Sequence, residues 1–217
     1  FGGRSLDGSE PKYLNSPETE IFEKGKNLFG LDKSATSIRK KDYAVVVEGY
    51  FDVMALHDSD ITNVVASLGT ALSRNQITLL SRSTDSKKIL LNFDSDNAGI
   101  RAANRAISEV ESLAIQGQLD LRVLQLPANK DPDEFLRDNS PSEYEALATK
   151  APLWMDWQID QSLKDLDLSK SDQFQEAVSS LVSLLGKLPQ TAIRTHYLQK
   201  VAQRISGGQG RFALQLE

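Results

Sequence analysis

The chain has 217 residues, of which 40% are hydrophobic and 25% charged, as expected for a globular protein of one large or two small domains. It has no cysteine, which excludes a disulfide, a cysteine nucleophile and a cysteine-ligated zinc, and which fits a reducing cytosol. The net charge of −5 argues against a generally basic nucleic-acid binder. No apolar run approaches the length of a membrane span.

Charge is distributed unevenly along the chain. Residues 1–41 carry 8 Lys/Arg and 6 Asp/Glu, residues 42–133 carry 8 and 13, and residues 134–217 carry 9 and 11. A mildly basic segment therefore precedes an acidic middle. Such a middle segment is ordinary solvated surface unless its carboxylates converge.

Residues 1–41 are rich in Gly, Pro, Ser and Asn. Ser16-Pro17 has the pattern of an N-cap followed by proline at the first helical position, so we predict a helix there. Its apolar stripe would consist of Ile21, Phe22, Leu28 and Phe29.

Residues 43–126 alternate between short apolar runs and helix-period segments, which predicts a compact, mostly parallel sheet with helices on both faces. Ser73 and Gln76 form a capping-box pattern for one of the helices. Predicted strands cover residues 44–47, 63–66, 89–93 and 121–126.

Three pairs of acidic residues follow predicted strands: Glu48 with Asp52, Asp94 with Asp96, and Asp131 with Asp133. Each has a structural explanation, because Asp96 and Asp131 suit helix N-caps and Asp52 lies in a first helical turn. Six carboxylates at one edge of a sheet would nevertheless repel each other unless a hard divalent cation neutralised them. Since the chain offers no cysteine nucleophile and no credible Ser–His pair, we expect two-metal phosphoryl or nucleotidyl transfer rather than acyl chemistry.

Beyond residue 140 the pattern is helical. We expect Trp154 and Trp157 to be core anchors rather than a platform for stacking bases. Two core stripes are predicted, one of Phe174, Ala177, Val178, Leu181, Val182 and Leu185, and one of Ile193, Tyr197, Val201 and Ile205.

The motifs EGYFD, SLGTA, FDSDNAG and DPD, in this order and spacing, resemble the TOPRIM metal-binding module of primases, topoisomerases and some nucleases. Upstream, FGGR, KYLNSPET and FEKGKNLFGL resemble the basic subdomain of bacterial DnaG-type DNA primases. The resemblance implies an α/β fold in which residues 42–139 form a Rossmann-like TOPRIM domain with a mostly parallel sheet. Residues 1–41 would end the basic N-terminal subdomain of the polymerase domain, and residues 140–217 would form a C-terminal helical bundle.

The resemblance also implies roles for individual residues. The catalytic Mg²⁺, which Mn²⁺ can replace, would be held by Glu48, Asp94 and Asp96, and supported by Asp52, Asp131 and Asp133. The side chains near the nucleotide phosphates or the template would be Arg4, Lys12, Asn15 and Lys24. Ser95 departs from the family, which usually has glycine at this position.

The implied activity is that of a DNA-directed RNA polymerase, which makes short RNA primers on single-stranded DNA from ribonucleoside triphosphates. We expect it in the cytoplasm, at the replication fork. Because the chain starts at Phe1 without methionine, we expect a piece of a longer protein. Zinc would then be confined to a missing N-terminal domain, and the replicative helicase would bind a C-terminal domain that is also absent.

Other functions remain open. A TOPRIM nuclease would share the acidic residues but has no reason to carry KYLNSPET. A topoisomerase needs a tyrosine nucleophile in a separate domain, whereas Tyr50 lies inside the motif. A haloacid-dehalogenase-like phosphatase has its Asp-x-Asp after the first strand, not the third. A non-catalytic module that binds nucleotides or DNA is the last alternative.

Overall fold

The computed structural model describes residues 2–5, 13–68 and 71–206. Its contacts divide the chain into two units, residues 1–153 and 154–217. The limits of three domains that we predicted from the sequence stay a prediction. Among the described residues, no helix is both long and apolar enough to cross a membrane.

The described part of the first unit is built on a parallel sheet of four strands, which lie in the order Val64–Ala66, Tyr43–Val47, Lys88–Asn92 and Asp120–Val123. Apolar residues such as Val46 and Leu90 are fully buried along both central strands, which confirms that helices cover both faces. The predicted strands are confirmed with small shifts at their ends. The strands are β3 (Tyr43–Val47), β4 (Val64–Ala66), β5 (Lys88–Asn92) and β6 (Asp120–Val123).

Six α-helices accompany this sheet among the described residues of the first unit. Ser73 and Gln76 form the capping box that the sequence predicted for α3. Ser140 and Glu143 form a second capping box, at the start of α6. The helices are α1 (Leu31–Lys41), α2 (Tyr50–Asp58), α3 (Arg74–Ser81), α4 (Asn97–Ile115), α5 (Pro132–Asp138) and α6 (Pro141–Lys150).

The segment before the sheet differs from the prediction. No α-helix follows Ser16-Pro17; a short antiparallel bridge joins Thr19 to Phe22, and Ile21 is 98% exposed. The apolar residues here are too few and too irregularly spaced to give a helix a buried face. Instead, the chain forms two short antiparallel strands, β1 (Gly2–Arg4) and β2 (Tyr13–Asn15), and a 3-10 helix at Lys24–Lys26.

Helix α1 was not predicted from the sequence. It starts after Gly30, whose φ of 80° is in the left-handed region that glycine adopts readily, and it buries Ser34 and Ile38. With only two buried positions in 11 residues, its apolar pattern is too sparse to detect. Its last turn carries Arg39, Lys40 and Lys41, which is favourable at a helix C-terminus.

The second unit contains three helices among its described residues. Trp154 and Trp157 are buried, as predicted. The predicted core stripes are wrong at Val182 and Ile193, which are 63% and 50% exposed. Val182 lies about 140° around the helix from Ala177, so Leu184 takes its place in the core. The helices are α7 (Trp154–Leu163), α8 (Ser171–Gly186) and α9 (Ala192–Ile205).

Candidate metal centre

Glu48 and Asp94 lie next to each other at the carboxyl ends of the two central strands. Val47 and Asn92 are partners across β3 and β5, so the residues that follow them leave the sheet at the same place. The main-chain N–H of Asp94 donates to Glu48 Oε1 over 3.1 Å. Carboxyl ends of parallel strands are where α/β sheets place their ligands.

Asp96 is the N-cap of α4, as its structural explanation predicted. Its Oδ1 accepts from the N–H groups of Ala98 and Gly99, at 2.9 and 2.8 Å. Gly99 is required for this turn, because a Cβ there would lie 2.0 Å from the carbonyl oxygen of Asp94. The absence of that side chain lets the first turn of α4 close on the main chain of Asp94, which joins the two aspartates in one compact loop.

Asp52 lies in the first turn of α2, where its Oδ2 accepts from the N–H of Gly49 over 3.0 Å. Burial raises the pKa of this carboxyl to about 7, and the nearby charges of Asp131, Asp94 and Glu48 add to the shift. The hydrogen bond from Gly49 opposes it. Near neutral pH a large share of Asp52 is therefore protonated.

Asp131 caps α5 and accepts from the N–H of Glu134 over 2.7 Å. Its charge acts on both Asp52 and Asp94, so it belongs to the same group of carboxylates. Asp133 instead forms an ion pair with Arg137 one turn further along α5. The sequence analysis did not single out Glu134, whose charge also raises the pKa of Asp94.

We call five of these carboxylates, Glu48, Asp52, Asp94, Asp96 and Asp131, the acidic rim. Burial, followed by the repulsion of neighbouring rim charges, raises the pKa of Glu48 and of Asp94. Asp94 is distinct, because within the described part of the chain its carboxylate accepts no hydrogen bond, whereas the other four each accept main-chain N–H groups.

The rim has the donor chemistry of a site for a hard divalent cation, since all its ligands are carboxylate oxygens. A bound cation would relieve the repulsion between these carboxylates. Among the residues that the structure describes, no group of three or more acidic or histidine side chains is already arranged to hold an ion.

The residues predicted to contact nucleotide or template lie before the sheet. Arg4 ends β1 and Asn15 ends β2, on two paired strands, and their side chains are not described. Lys12 lies outside the described residues, as do Gly69 and Thr70 of the SLGTA motif. Lys24 begins the 3-10 helix, and its ammonium forms no ion pair within the described part of the chain.

This segment is attached firmly to the sheet and its helices. Phe29 exchanges two main-chain hydrogen bonds with Ala66 of β4, at 2.8 and 3.2 Å. Its ring stacks on Tyr50 of α2 with centroids 4.5 Å apart. Because α2 begins two residues after Glu48, these contacts hold the chain around Phe29 close to the strand end that carries Glu48.

Two buried hydrogen bonds hold the end of β5 next to the rim. The sequence analysis did not predict them. The Tyr144 hydroxyl of α6 donates to Asn92 Oδ1 over 2.7 Å, and Asn92 Nδ2 donates to the carbonyl of Leu124 over 3.3 Å. Both side chains are buried. They tie the end of β5 to β6 and α6 just before Asp94.

Three family models match the chain. One described as Toprim-like matches residues 45–136, and one for the N-terminal domain of the DNA primase catalytic core matches residues 1–35. A third, for the DnaB-helicase binding domain of primase, matches residues 155–210. This last match corrects our expectation that helicase-binding sequence lies entirely outside the chain.

Known proteins match over the whole length of the chain. A DNA primase of Synechococcus elongatus is 62% identical over 216 residues, which are 100% of this chain and 31% of that protein. A solved structure of a DnaG catalytic core is 33% identical with a TM-score of 0.75, and the match covers 100% of this chain and 67% of the other. A DnaG primase catalytic domain bound to single-stranded DNA is 34% identical with a TM-score of 0.74, covering 92% and 64%. The chain spans about a third of the length of the curated relatives.

Proposed function

Because the chain belongs to the family of bacterial DnaG-type DNA primases, we propose that it forms the catalytic part of such an enzyme. The reaction is the synthesis of short RNA primers on a single-stranded DNA template, at the replication fork. The observation that carries this proposal is the acidic rim at the carboxyl ends of β3 and β5, together with a preceding basic segment that is joined to β4 and α2 through Phe29.

We assign Glu48, Asp94 and Asp96 as the residues that hold Mg²⁺, with Mn²⁺ as a substitute. When bound, such an ion neutralises the charge that develops as a phosphoryl group is transferred. Asp94 is the ligand most available to it, because within the described residues no hydrogen bond restrains its carboxylate. Asp52 and Asp131 keep the rim electrostatically dependent on a cation, and Asp133 is assigned a supporting role in α5.

Lys24, with Arg4, Lys12 and Asn15, supplies the opposite side of the proposed site. Phosphoryl-transfer sites commonly hold a triphosphate between metal ions and fixed cations. In this assignment the basic segment binds the phosphates of the incoming ribonucleoside triphosphate or of the template. The −5 net charge of the chain makes this local supply of cations necessary.

For the partners, we assign single-stranded DNA to the first unit and the replicative helicase to the second. The related domain solved with single-stranded DNA supports the first assignment. The match of residues 155–210 to the helicase-binding model supports the second. We assign no zinc to this chain, because it has no cysteine and its carboxylate oxygens suit hard ions better.

The test is primer synthesis by the full-length protein on single-stranded template, with wild type, Asp94→Asn and the control Glu143→Gln. Glu143 caps α6 at the surface and does not belong to the rim. We expect labelled RNA product from wild type and the control, and none from Asp94→Asn. Loss of template without product would instead identify a nuclease, and binding with neither would identify a non-catalytic module.

A further inference from the structure

The amide side chain of Gln76 is fully buried and forms hydrogen bonds in two directions. Towards its own helix, Gln76 Oε1 accepts from the N–H of Ser73 over 2.9 Å, which completes the capping box of α3. Away from the helix, Nε2 donates to the carbonyls of Lys24 and Asn27, at 2.9 and 2.5 Å. Helix capping therefore explains only half of the contacts of this residue.

The carbonyls that accept these hydrogen bonds belong to one short turn, residues 24–27, which we call the basic turn. The hydroxyl of Ser73 donates to a third carbonyl of the turn, that of Gly25, over 2.5 Å. Ser73, the N-cap of α3, and Gln76 in its first turn thus bind three of the four carbonyls of the turn. A turn this short, with a 3-10 helix of three residues, has few hydrogen bonds of its own to hold it.

The basic turn carries the one cation of the proposed nucleotide-binding set whose side chain the structure describes, Lys24. Lys26 in the same turn is paired with Glu23 over 2.8 Å, so its charge is already engaged. The N–H of Lys24 donates to Glu18 and its carbonyl is bound by Gln76, so the main chain of Lys24 is held on both sides. These bonds fix the main-chain position from which the Lys24 side chain extends.

We propose that Gln76 is a positioning residue, whose two donated hydrogen bonds fix the basic turn and thereby place Lys24 for a nucleotide phosphate. This inference rests on the proposed function, because it takes Lys24 as a phosphate-binding residue. In this proposal α3 not only covers the sheet but also holds the basic turn in place. Gln76 itself does not touch the nucleotide.

The variant Gln76→Glu separates the two roles of the side chain. Glutamate also completes a capping box with Ser73, so α3 keeps its start. Its carboxylate has no donor for the carbonyls of Lys24 and Asn27, and when protonated it can donate to only one of them. Gln76→Met removes the donors and the cap together without changing the volume much. Ile77→Val is the control, because it weakens the fully buried packing of the same helix and leaves the basic turn untouched.

The first measurement is independent of activity: hydrogen exchange at the N–H groups of Lys26 and Asn27, which donate to the carbonyls of Glu23 and Lys24. In the full-length protein we expect faster exchange in both Gln76 variants and wild-type exchange in Ile77→Val. Unchanged exchange in Gln76→Glu and Gln76→Met would overturn the proposal. Equal acceleration by Ile77→Val would also overturn it, because general weakening of α3 would then suffice.

The second measurement is the dissociation constant of ATP in the presence of Mn²⁺, together with KM and kcat for primer synthesis. Loss of these hydrogen bonds should weaken ATP binding about three- to tenfold and raise KM with little change in kcat. The defect of Gln76→Glu should be smaller at pH 6 than at pH 8 relative to wild type, because a protonated carboxyl restores one donor.

The decisive comparison is the same substitution in a Lys24→Ala background. If Gln76 acts through Lys24, Gln76→Met should weaken ATP binding no further there. Equal weakening in both backgrounds would overturn the proposal, and so would a Lys24→Ala variant that binds ATP as wild type does. Failure of the proposed function is a different result, namely no primer from the wild-type protein. The exchange rates and the ATP-binding cycle would still decide the role of Gln76.

Discussion

Replacing Asp52 by asparagine should stabilise the protein in the absence of metal, most strongly above pH 7 and not at all near pH 4. Asparagine has nearly the same shape and keeps an oxygen that can accept the N–H of Gly49, so the start of α2 is preserved. The substitution removes the charge alone. The expected gain in stability is therefore a direct measure of the electrostatic cost of the acidic rim.

The size of the effect follows from the pKa of Asp52, which is raised from 3.8 to about 7 in the folded protein. Each unit corresponds to about 1.4 kcal/mol, so full expression of the shift would give a gain of about 4 kcal/mol. Because the carboxyl is coupled to its neighbours and only partly buried, we expect about 2 kcal/mol at pH 8.

The stability difference between Asp52→Asn and wild type should change with pH in a defined direction. The folded protein takes up a proton on Asp52 near pH 7, whereas the unfolded chain does so only near pH 4. Wild type therefore gains stability as the pH falls through 7, and the advantage of Asp52→Asn shrinks over the same range until it disappears near pH 4. Above pH 8 the advantage should be constant.

The assay is urea unfolding at pH 8, 6 and 4.5, followed by circular dichroism or by hydrogen exchange in β5. Tryptophan fluorescence is unsuitable, because Trp154 and Trp157 both lie in the second unit. The matched control is Glu143→Gln, which occupies the same capping-box position in α6 but is exposed. A hydrogen bond from Ser140 lowers the pKa of Glu143, so its loss should reduce stability slightly. If Asp52→Asn lowered stability at pH 8, its charge would be favourable in the fold and the reasoning would be wrong.

Three further results are expected. Asp94→Asn should weaken Mn²⁺ binding at least tenfold. Because the substitution removes a repelling charge, the stability of the metal-free protein should be unchanged or higher. Equal Mn²⁺ binding by both proteins would contradict the assignment. Gly99→Ala should cost about 3 kcal/mol or more, because the new Cβ would overlap the main chain of Asp94, whereas Gly186→Ala, with open space around it, should be neutral or slightly stabilising. Binding of this chain to a short labelled single-stranded oligonucleotide, measured by fluorescence anisotropy, should be weak and should fall between about 50 and 200 mM salt, since only phosphate contacts from a few cations hold it. Affinity that ignores salt would contradict this last expectation.

The sequence predicts the sheet and the position of its acidic residues because both follow from local patterns. A run such as Ala44–Val47 has no polar position, which requires burial on both faces and so a central parallel strand. Once the strands are known to be parallel, the residues that follow them must meet at one edge. The adjacency of Glu48 and Asp94 was predictable on this argument alone.

Contacts between distant segments could not be predicted in this way. Gln76 matches a capping-box pattern completely, and nothing in that pattern shows that its amide also binds carbonyls about 50 residues earlier in the chain. The helix expected at Ser16-Pro17 failed for the opposite reason: its start signal is good, but the following residues lack a face to bury. Start signals are local, whereas helices in proteins are stabilised mainly by packing.

The hydrogen bonds of the rim explain how the fold tolerates this concentration of charge. Glu48, Asp52, Asp96 and Asp131 each accept N–H groups of the main chain, which offset part of the repulsion between their charges and hold them in place without a cation. Three of these bonds are also helix-start contacts, so the structural and the electrostatic explanations of these acids are compatible.

Asp94 accepts no such hydrogen bond among the described residues, and burial and the charges of its neighbours raise its pKa. A carboxylate held by the backbone is fixed before metal binding, whereas in our assignment Asp94 takes a cation as its partner. Asp94 is therefore the rim residue whose substitution should affect metal binding most and the metal-free fold least.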